Sequence, residues 1–100
     1  MAKKKGVTLF EFADSIPRIL TIKRLSTPDS HFLCFFEGST VLKKRKRIYF
    51  GPETYGSGSS VEESMKDYVK ELRKGNFLVF YDGEEGICIG EFSIPRNLIF

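Results

Sequence analysis

The spacing of apolar residues after residue 60 predicts an amphipathic helix. Apolar positions between residues 61 and 74 recur every three or four residues and so fall on one helical face; they are Val61, Met65, Tyr68, Val69 and Leu72. Ser60 is suited to the N-cap, and Glu63 follows three positions later. Gly75-Asn76 is a C-terminal stop signal. The pattern therefore predicts a helix over residues 61–74 that buries this face.

A short helix is also predicted near the beginning of the chain. Thr8 and Glu11 have the spacing of a capping box, which favours a helix over about residues 9–15. The same residues allow a second interpretation as a strand, with Thr8, Phe10 and Phe12 on one face. We favour the helix.

Apolar and β-branched runs predict strands over much of the remaining chain. The runs are residues 18–25, 31–37, 77–82 and 87–92, with a further strand that begins at Thr40. Gly38-Ser39 favours a two-residue hairpin turn that would place Phe36 opposite Val41. Composition predicts a turn at residues 26–30 and a loop at residues 51–60.

These elements predict an α+β fold. A mainly antiparallel sheet of about five strands would pack against the helix over residues 61–74, with the short N-terminal helix at one end. The 100 residues, 41% of them hydrophobic, suffice for one core. We expect a single domain over residues 1–100, with residues 1–6 as a disordered tail. No apolar run reaches the roughly 18 residues of a membrane span, so we expect no membrane partner and a cytoplasmic location, or a nuclear one in a eukaryote.

The inventory of reactive side chains gives no sign of an enzyme. His31 is the single histidine, and the two cysteines, Cys34 and Cys88, lie in apolar runs typical of core packing. A zinc site needs about four ligands of this kind, so we predict neither a metal nor another cofactor. His31 and Cys34 are an odd number of residues apart, which places them on opposite faces of one strand and argues against a nucleophile–base pair.

Five consecutive cations supply the strongest functional signal. The basic tract consists of Lys43, Lys44, Arg45, Lys46 and Arg47. It adds to a charge asymmetry, because residues 1–50 carry eleven Lys/Arg against four Asp/Glu while residues 51–100 carry five against nine. A strand turns successive side chains to opposite faces, so neither face of the tract can be covered by a hydrophobic layer. The tract must be exposed at a sheet edge, in a hairpin arm or in a loop.

The favoured function is nucleic-acid binding through a basic β-hairpin. Lys and Arg neutralise phosphates and release condensed counterions. Lys23 and Arg24 are candidate neighbours of the basic tract, and Tyr49 is a candidate stacking surface for bases. The alternatives are a protein–protein interaction module, such as a small phage- or mobile-element-encoded inhibitor or accessory protein, and a homo-oligomeric scaffold subunit. A charged edge that only discourages aggregation is the simplest interpretation.

The order of these elements resembles one known group of domains in outline. The strand, the turn, the basic strand "KKRKRIYFG", the loop and the helix opened by "SSVEES" extend over about residues 31–74. This order is similar to that of the small three-stranded arm-type DNA-binding domains of integrases. The resemblance implies a sheet that lies in a DNA groove with a helix behind it. It includes no residue-level motif and therefore implies no particular site residues.

Overall fold

The computed structural model describes residues 6–26 and 31–100, and it confirms the α+β class. The predicted tail and the predicted turn lie largely outside this range, at residues 1–5 and 27–30. Gly6, assigned to the tail, is half-buried. The described elements are β1 (Val7–Thr8), α1 (Leu9–Asp14), β2 (Leu20–Leu25), β3 (His31–Phe36), β4 (Ser39–Leu42), β5 (Gly56–Gly58), α2 (Val61–Leu72), β6 (Phe77–Tyr81), β7 (Cys88–Ser93) and β8 (Leu98–Ile99).

The strands form three small sheets in place of the single five-stranded sheet that was predicted. The first three-stranded sheet has the order β2-β3-β5 and the second has the order β4-β6-β7, and both are antiparallel. β1 and β8 form a two-stranded parallel pair. The chain passes from the first sheet to the second through Glu37-Gly38, between β3 and β4.

The predicted hairpin between residues 31–37 and the strand from Thr40 is wrong. β3 already has a partner on each edge, β2 on one side and β5 on the other, so it has no edge left for β4. The backbone of Gly38 is engaged elsewhere too: its N–H donates to the Glu53 carboxylate, and its carbonyl accepts from the N–H of Tyr81. β4 pairs with β6 instead, with Val41 opposite Leu78. The integrase-like outline, which needs a basic strand within the sheet, is therefore absent from the described residues.

The loop predicted over residues 51–60 contains a strand that composition did not reveal. β5 runs directly against α2, and a Cβ atom on Gly56 would lie 2.2 Å from the backbone nitrogen of Tyr68. A Cβ atom on Gly58 would lie 2.5 Å from the Cβ atom of Glu63. Glycine is needed here because the strand and helix backbones approach too closely for a side chain.

Both helices begin where the capping signals predict. In α1, Thr8 and Glu11 form a reciprocal capping box. In α2, the Ser60 hydroxyl accepts a hydrogen bond from the N–H of Glu63 at 3.1 Å. α2 ends at Leu72, two residues before the predicted end, and Met65, Tyr68, Val69 and Leu72 are buried as expected, whereas Val61 is exposed.

A core of buried side chains joins α1 and α2 with both three-stranded sheets. It includes Leu9, Phe36, Tyr68, Leu78 and Phe80. Cys34 belongs to it, and burial raises the pKa of its thiol to about 12, which keeps it protonated and unreactive. Both cysteines are free thiols. Among the described helices, none is long and apolar enough to span a membrane.

Candidate functional site

The basic tract is a loop, and the prediction of a basic β-strand is wrong. β4 ends at Leu42, and residues 43–47 have no regular secondary structure. Regular pairing resumes for one residue only, where Ile48 forms an isolated antiparallel bridge with Ile87. The alternation of side chains expected of a strand therefore does not apply to the five cations.

The segment of residues 43–54, which we call the basic loop, lies across the outer face of the second three-stranded sheet. Residues directly opposite each other in an antiparallel pair share a face, so Val79 shares this outer face with Thr40 and Glu91. Val79 is 0% exposed although it is not part of the core cluster. The basic loop provides the cover: Thr54 bonds Thr40 through the two hydroxyls at 3.2 Å, and Arg45 and Tyr49 stack over neighbouring rings of β6.

Three backbone carbonyls of the basic tract are fixed to the rest of the protein. The carbonyl of Lys43 accepts from the side-chain amide of Asn76 at 3.0 Å. That of Lys46 accepts from the hydroxyl of Tyr81 at 2.7 Å, and that of Arg47 accepts from the N–H of Cys88 at 2.8 Å. These bonds hold the backbone of the tract at both ends and direct its side chains towards water.

All five cations are exposed, and one of them is paired. The guanidinium of Arg45 lies 3.1 Å from a carboxylate oxygen of Glu91 and 5.1 Å from the ring centre of Phe77. Within residues 6–26 and 31–100, no carboxylate forms a salt bridge with Lys43, Lys44, Lys46 or Arg47. These four positive charges have no carboxylate partner within that range and are exposed to the solvent.

Tyr49 lies within the basic loop but is largely occupied by internal contacts. Its ring centre is 5.3 Å from that of Tyr81, and the ammonium of Lys46 is 5.8 Å from its ring. Its N–H donates to the carbonyl of Gly86 at 2.8 Å. Tyr49 therefore supports the loop and offers less free ring surface than the sequence suggested.

Lys23 and Arg24 are both exposed, but they lie on β2, in the other three-stranded sheet. Lys23 lines a groove with Phe35, Pro52 and Tyr55, and none of the five tract cations lines that groove. Lys23 and Arg24 therefore do not form one contact surface with the basic tract.

Two exposed apolar side chains lie within three residues of the tract, and neither was predicted as a site residue. Phe50 is 75% exposed and Ile48 is 61% exposed. Ile87, opposite Ile48, is exposed as well. We call Ile48, Phe50 and Ile87 the apolar edge. The sequence carried no signal of this exposure, because three consecutive apolar residues at positions 48–50 are equally compatible with a packed strand.

An acidic region bounds this surface on the side away from the tract. A cleft of about 360 Å³ lies between Tyr49, Phe50 and Tyr81 and includes the carboxylates of Glu37, Glu53 and Asp82. The turn over residues 83–86 carries Glu84 and Glu85 and touches Phe50, since a Cβ atom on Gly86 would lie 2.9 Å from the Phe50 ring. These carboxylates would repel phosphate. Among the described residues, no group of three or more His, Cys, Asp or Glu side chains is placed to hold a metal ion.

Comparison with known proteins gives no relative: no protein-family model, no curated protein and no solved structure matches this chain.

Proposed function

We propose that this protein binds nucleic acid through the phosphates, with the basic tract as the contact surface. The observation that carries the proposal is the presentation of Lys43, Lys44, Lys46 and Arg47, which are exposed and unpaired within the described residues on an anchored backbone. Anchoring lowers the entropy lost on binding. Each phosphate neutralised also releases counterions, which favours association at low salt. The protein would act as a binding module without catalysis, in the cytoplasm or nucleus.

The positions of the other candidate residues limit the size of this surface. Arg45 is partly committed to Glu91, and Lys23 and Arg24 lie on the other sheet. We therefore assign the main contacts to the four unpaired cations of the tract and regard Lys23 and Arg24 as a separate surface.

A protein partner is the second candidate, and the apolar edge favours it. Ile48, Phe50 and Ile87 are exposed next to a concentration of positive charge, as in interfaces where an apolar centre has a charged rim. An acidic protein with an apolar anchor would fit this surface. The same surface could bind a second copy of the chain if the acidic residues of that copy contacted the basic tract.

The test is a charge reversal at Lys44 and Arg47, which have no ring contact or ion pair within the described residues. We expect the K44E/R47E variant to bind DNA and RNA more weakly than the wild type. The slope of log affinity against log salt should fall by about 1 per cation removed. Fluorescence anisotropy with labelled oligonucleotides over a salt titration measures both quantities.

The matched control is K70E/R96E, which makes the same change in net charge at two exposed cations outside the basic tract. We expect it to retain most of the affinity. Equal loss in the two variants, or no binding by the wild type at low salt, contradicts the proposal, and thermal unfolding confirms that each variant is folded.

A further inference from the structure

The shape of the basic loop restricts the kind of nucleic acid that fits it. A β-ribbon can enter the roughly 12 Å wide major groove only if it projects from the protein. Here the backbone of the tract is bound down to Asn76, Tyr81 and Cys88, against the outer face of a sheet. The tract therefore presents charges on a surface and cannot insert as a two-stranded arm.

The apolar edge next to the tract calls for a ligand with exposed apolar faces. Phe50 is only three residues from Arg47, so their Cα atoms are at most about 11 Å apart. In a duplex the base faces are stacked on each other, so a duplex bound by its phosphates would leave Phe50 and Ile48 without a partner. The bases of a single strand are free to stack on aromatic side chains.

The acidic side of the surface orients such a ligand. Phe50 lies between the basic tract and the turn that carries Glu84 and Glu85. Phosphates are attracted to the first and repelled by the second, so the sugar–phosphate backbone would follow the tract while a base reaches Phe50. Tyr49 is already stacked near Tyr81, which leaves Phe50 as the more exposed ring in the loop.

We propose that the ligand is single-stranded nucleic acid, with its phosphates on Lys43, Lys44, Lys46 and Arg47 and an unpaired base stacked on Phe50. This inference rests on the proposed function, and it goes further by naming the strand state of the ligand and the residue that selects it. The stacking contact on Phe50 distinguishes single-stranded from duplex nucleic acid, because the phosphate contacts alone do not depend on whether the bases are paired.

The test replaces Phe50 and compares two probes. The probes are oligothymidylate of about 16 nucleotides, near the upper end of known site sizes, and a mixed-sequence duplex of the same length. For F50A and for F50L, which keeps an apolar side chain, we expect affinity for oligothymidylate to fall roughly 5- to 140-fold, the range of one stacking contact. Duplex affinity should stay unchanged. I89A is the control, because Ile89 is an exposed apolar residue outside the basic loop, and it should alter neither affinity.

A third variant gives a direct signal from the contact. The chain contains no tryptophan, so F50W introduces a single reporter. We expect F50W to bind oligothymidylate at least as well as the wild type and its fluorescence to be quenched on binding but not by the duplex.

The outcomes separate the two proposals. If the wild type binds the duplex as tightly as the single strand, or if F50L binds oligothymidylate like the wild type, the stacking inference is wrong while the proposed function stands. If the wild type binds neither probe at low salt, both fail, and the apolar edge is then best explained as a contact for a protein.

Discussion

At the scale of single residues, the hydroxyl of Tyr81 links strand β6 of the second three-stranded sheet to the basic tract. It donates to the carbonyl of Lys46 at 2.7 Å, near the C-terminal end of the basic tract. Tyr81 is nearly buried, and burial raises the pKa of its phenol, so the group remains a neutral donor at physiological pH. This bond is one of the three that hold the backbone of the tract against the sheet.

Replacing Tyr81 with Phe should remove the hydrogen bond to the tract without leaving a cavity. Because the ring remains, we expect the free energy of unfolding to fall by about 1 kcal/mol, the typical value of one hydrogen bond. Urea denaturation measures this loss, and hydrogen exchange should show faster exchange at the amide of Cys88, which bonds the adjacent carbonyl of Arg47. A variant with unchanged stability and exchange would show that the hydroxyl does not hold the tract.

The roles of Tyr49 and Phe50 show what sequence could not supply at this scale. Exposure of the five cations followed from the cost of burying unpaired charge, and the structure agrees. Tyr49 was expected to face a ligand, but its ring packs near that of Tyr81 and its N–H bonds Gly86 in the turn between β6 and β7. That contact joins residues far apart in the sequence, and no local pattern encodes it.

At the scale of elements, the backbones of β5 and α2 approach each other too closely to accommodate a side chain on the strand residues that face the helix. β5 contains glycine at the two positions that face the helix, and its central residue, Ser57, donates its N–H to the carboxylate of Asp67 on α2 at 2.9 Å. β5 in turn covers one edge of β3, which keeps β4 free to enter the second sheet. The position of the basic loop therefore depends on a strand without apolar side chains.

Replacing Gly56 with Ala should disrupt this contact. A Cβ atom there would lie 2.2 Å from the nitrogen of Tyr68 and 2.4 Å from the carbonyl oxygen of Ser64, both backbone atoms that cannot move aside alone. We expect a loss of about 3 kcal/mol or more in the free energy of unfolding, at the upper end of overpacking effects. Thermal and urea unfolding provide the measurement.

Gly83 is the matched control for this substitution, since nothing lies within 4 Å of a Cβ atom added there. G83A should change the stability by less than about 0.5 kcal/mol. Similar stabilities for G56A and G83A would mean that the helix and strand can separate at little cost.

Elements were predictable where the signal is local and not where it depends on partners. The capping residues Thr8 and Ser60 place the start of each helix correctly. The strands predicted at residues 77–82 and 87–92 correspond to β6 and β7, which pair with each other. Pairing of β4 was mispredicted because a glycine turn favours the nearest strand, while the actual choice is decided by β5, whose glycine-rich sequence is typical of a loop.

At the scale of the whole molecule, charge is separated between neighbouring surfaces. The basic tract lies on one side of Phe50, and the carboxylates of Glu37, Glu53 and Asp82 line the cleft on the other. The four cations of the tract that have no ion pair within residues 6–26 and 31–100 repel each other, and self-repulsion of this kind opposes the compact state. The stability of the free protein therefore does not account for this arrangement.

Neutralising Lys44 and Arg47 should therefore stabilise the free protein. We expect K44Q/R47Q to unfold at a higher urea concentration than the wild type at about 0.01 M salt, by up to about 0.5 kcal/mol in free energy. The difference should vanish at about 1 M salt, where the screening length is only about 3 Å. Lower stability of the variant at both salt concentrations would instead assign the two cations a structural role.

The parallel pairing of β1 with β8 has a consequence for how the chain folds during its synthesis. Val7 lies opposite Leu98, and the N–H of Val7 donates to the carbonyl of Asn97. The earliest described strand must therefore wait until residues near position 98 have left the ribosome. Until then Leu9, which ends up fully buried, is missing one of its neighbouring elements. A nascent chain that stalls before this point would expose apolar surface at its beginning, where a chaperone could bind it.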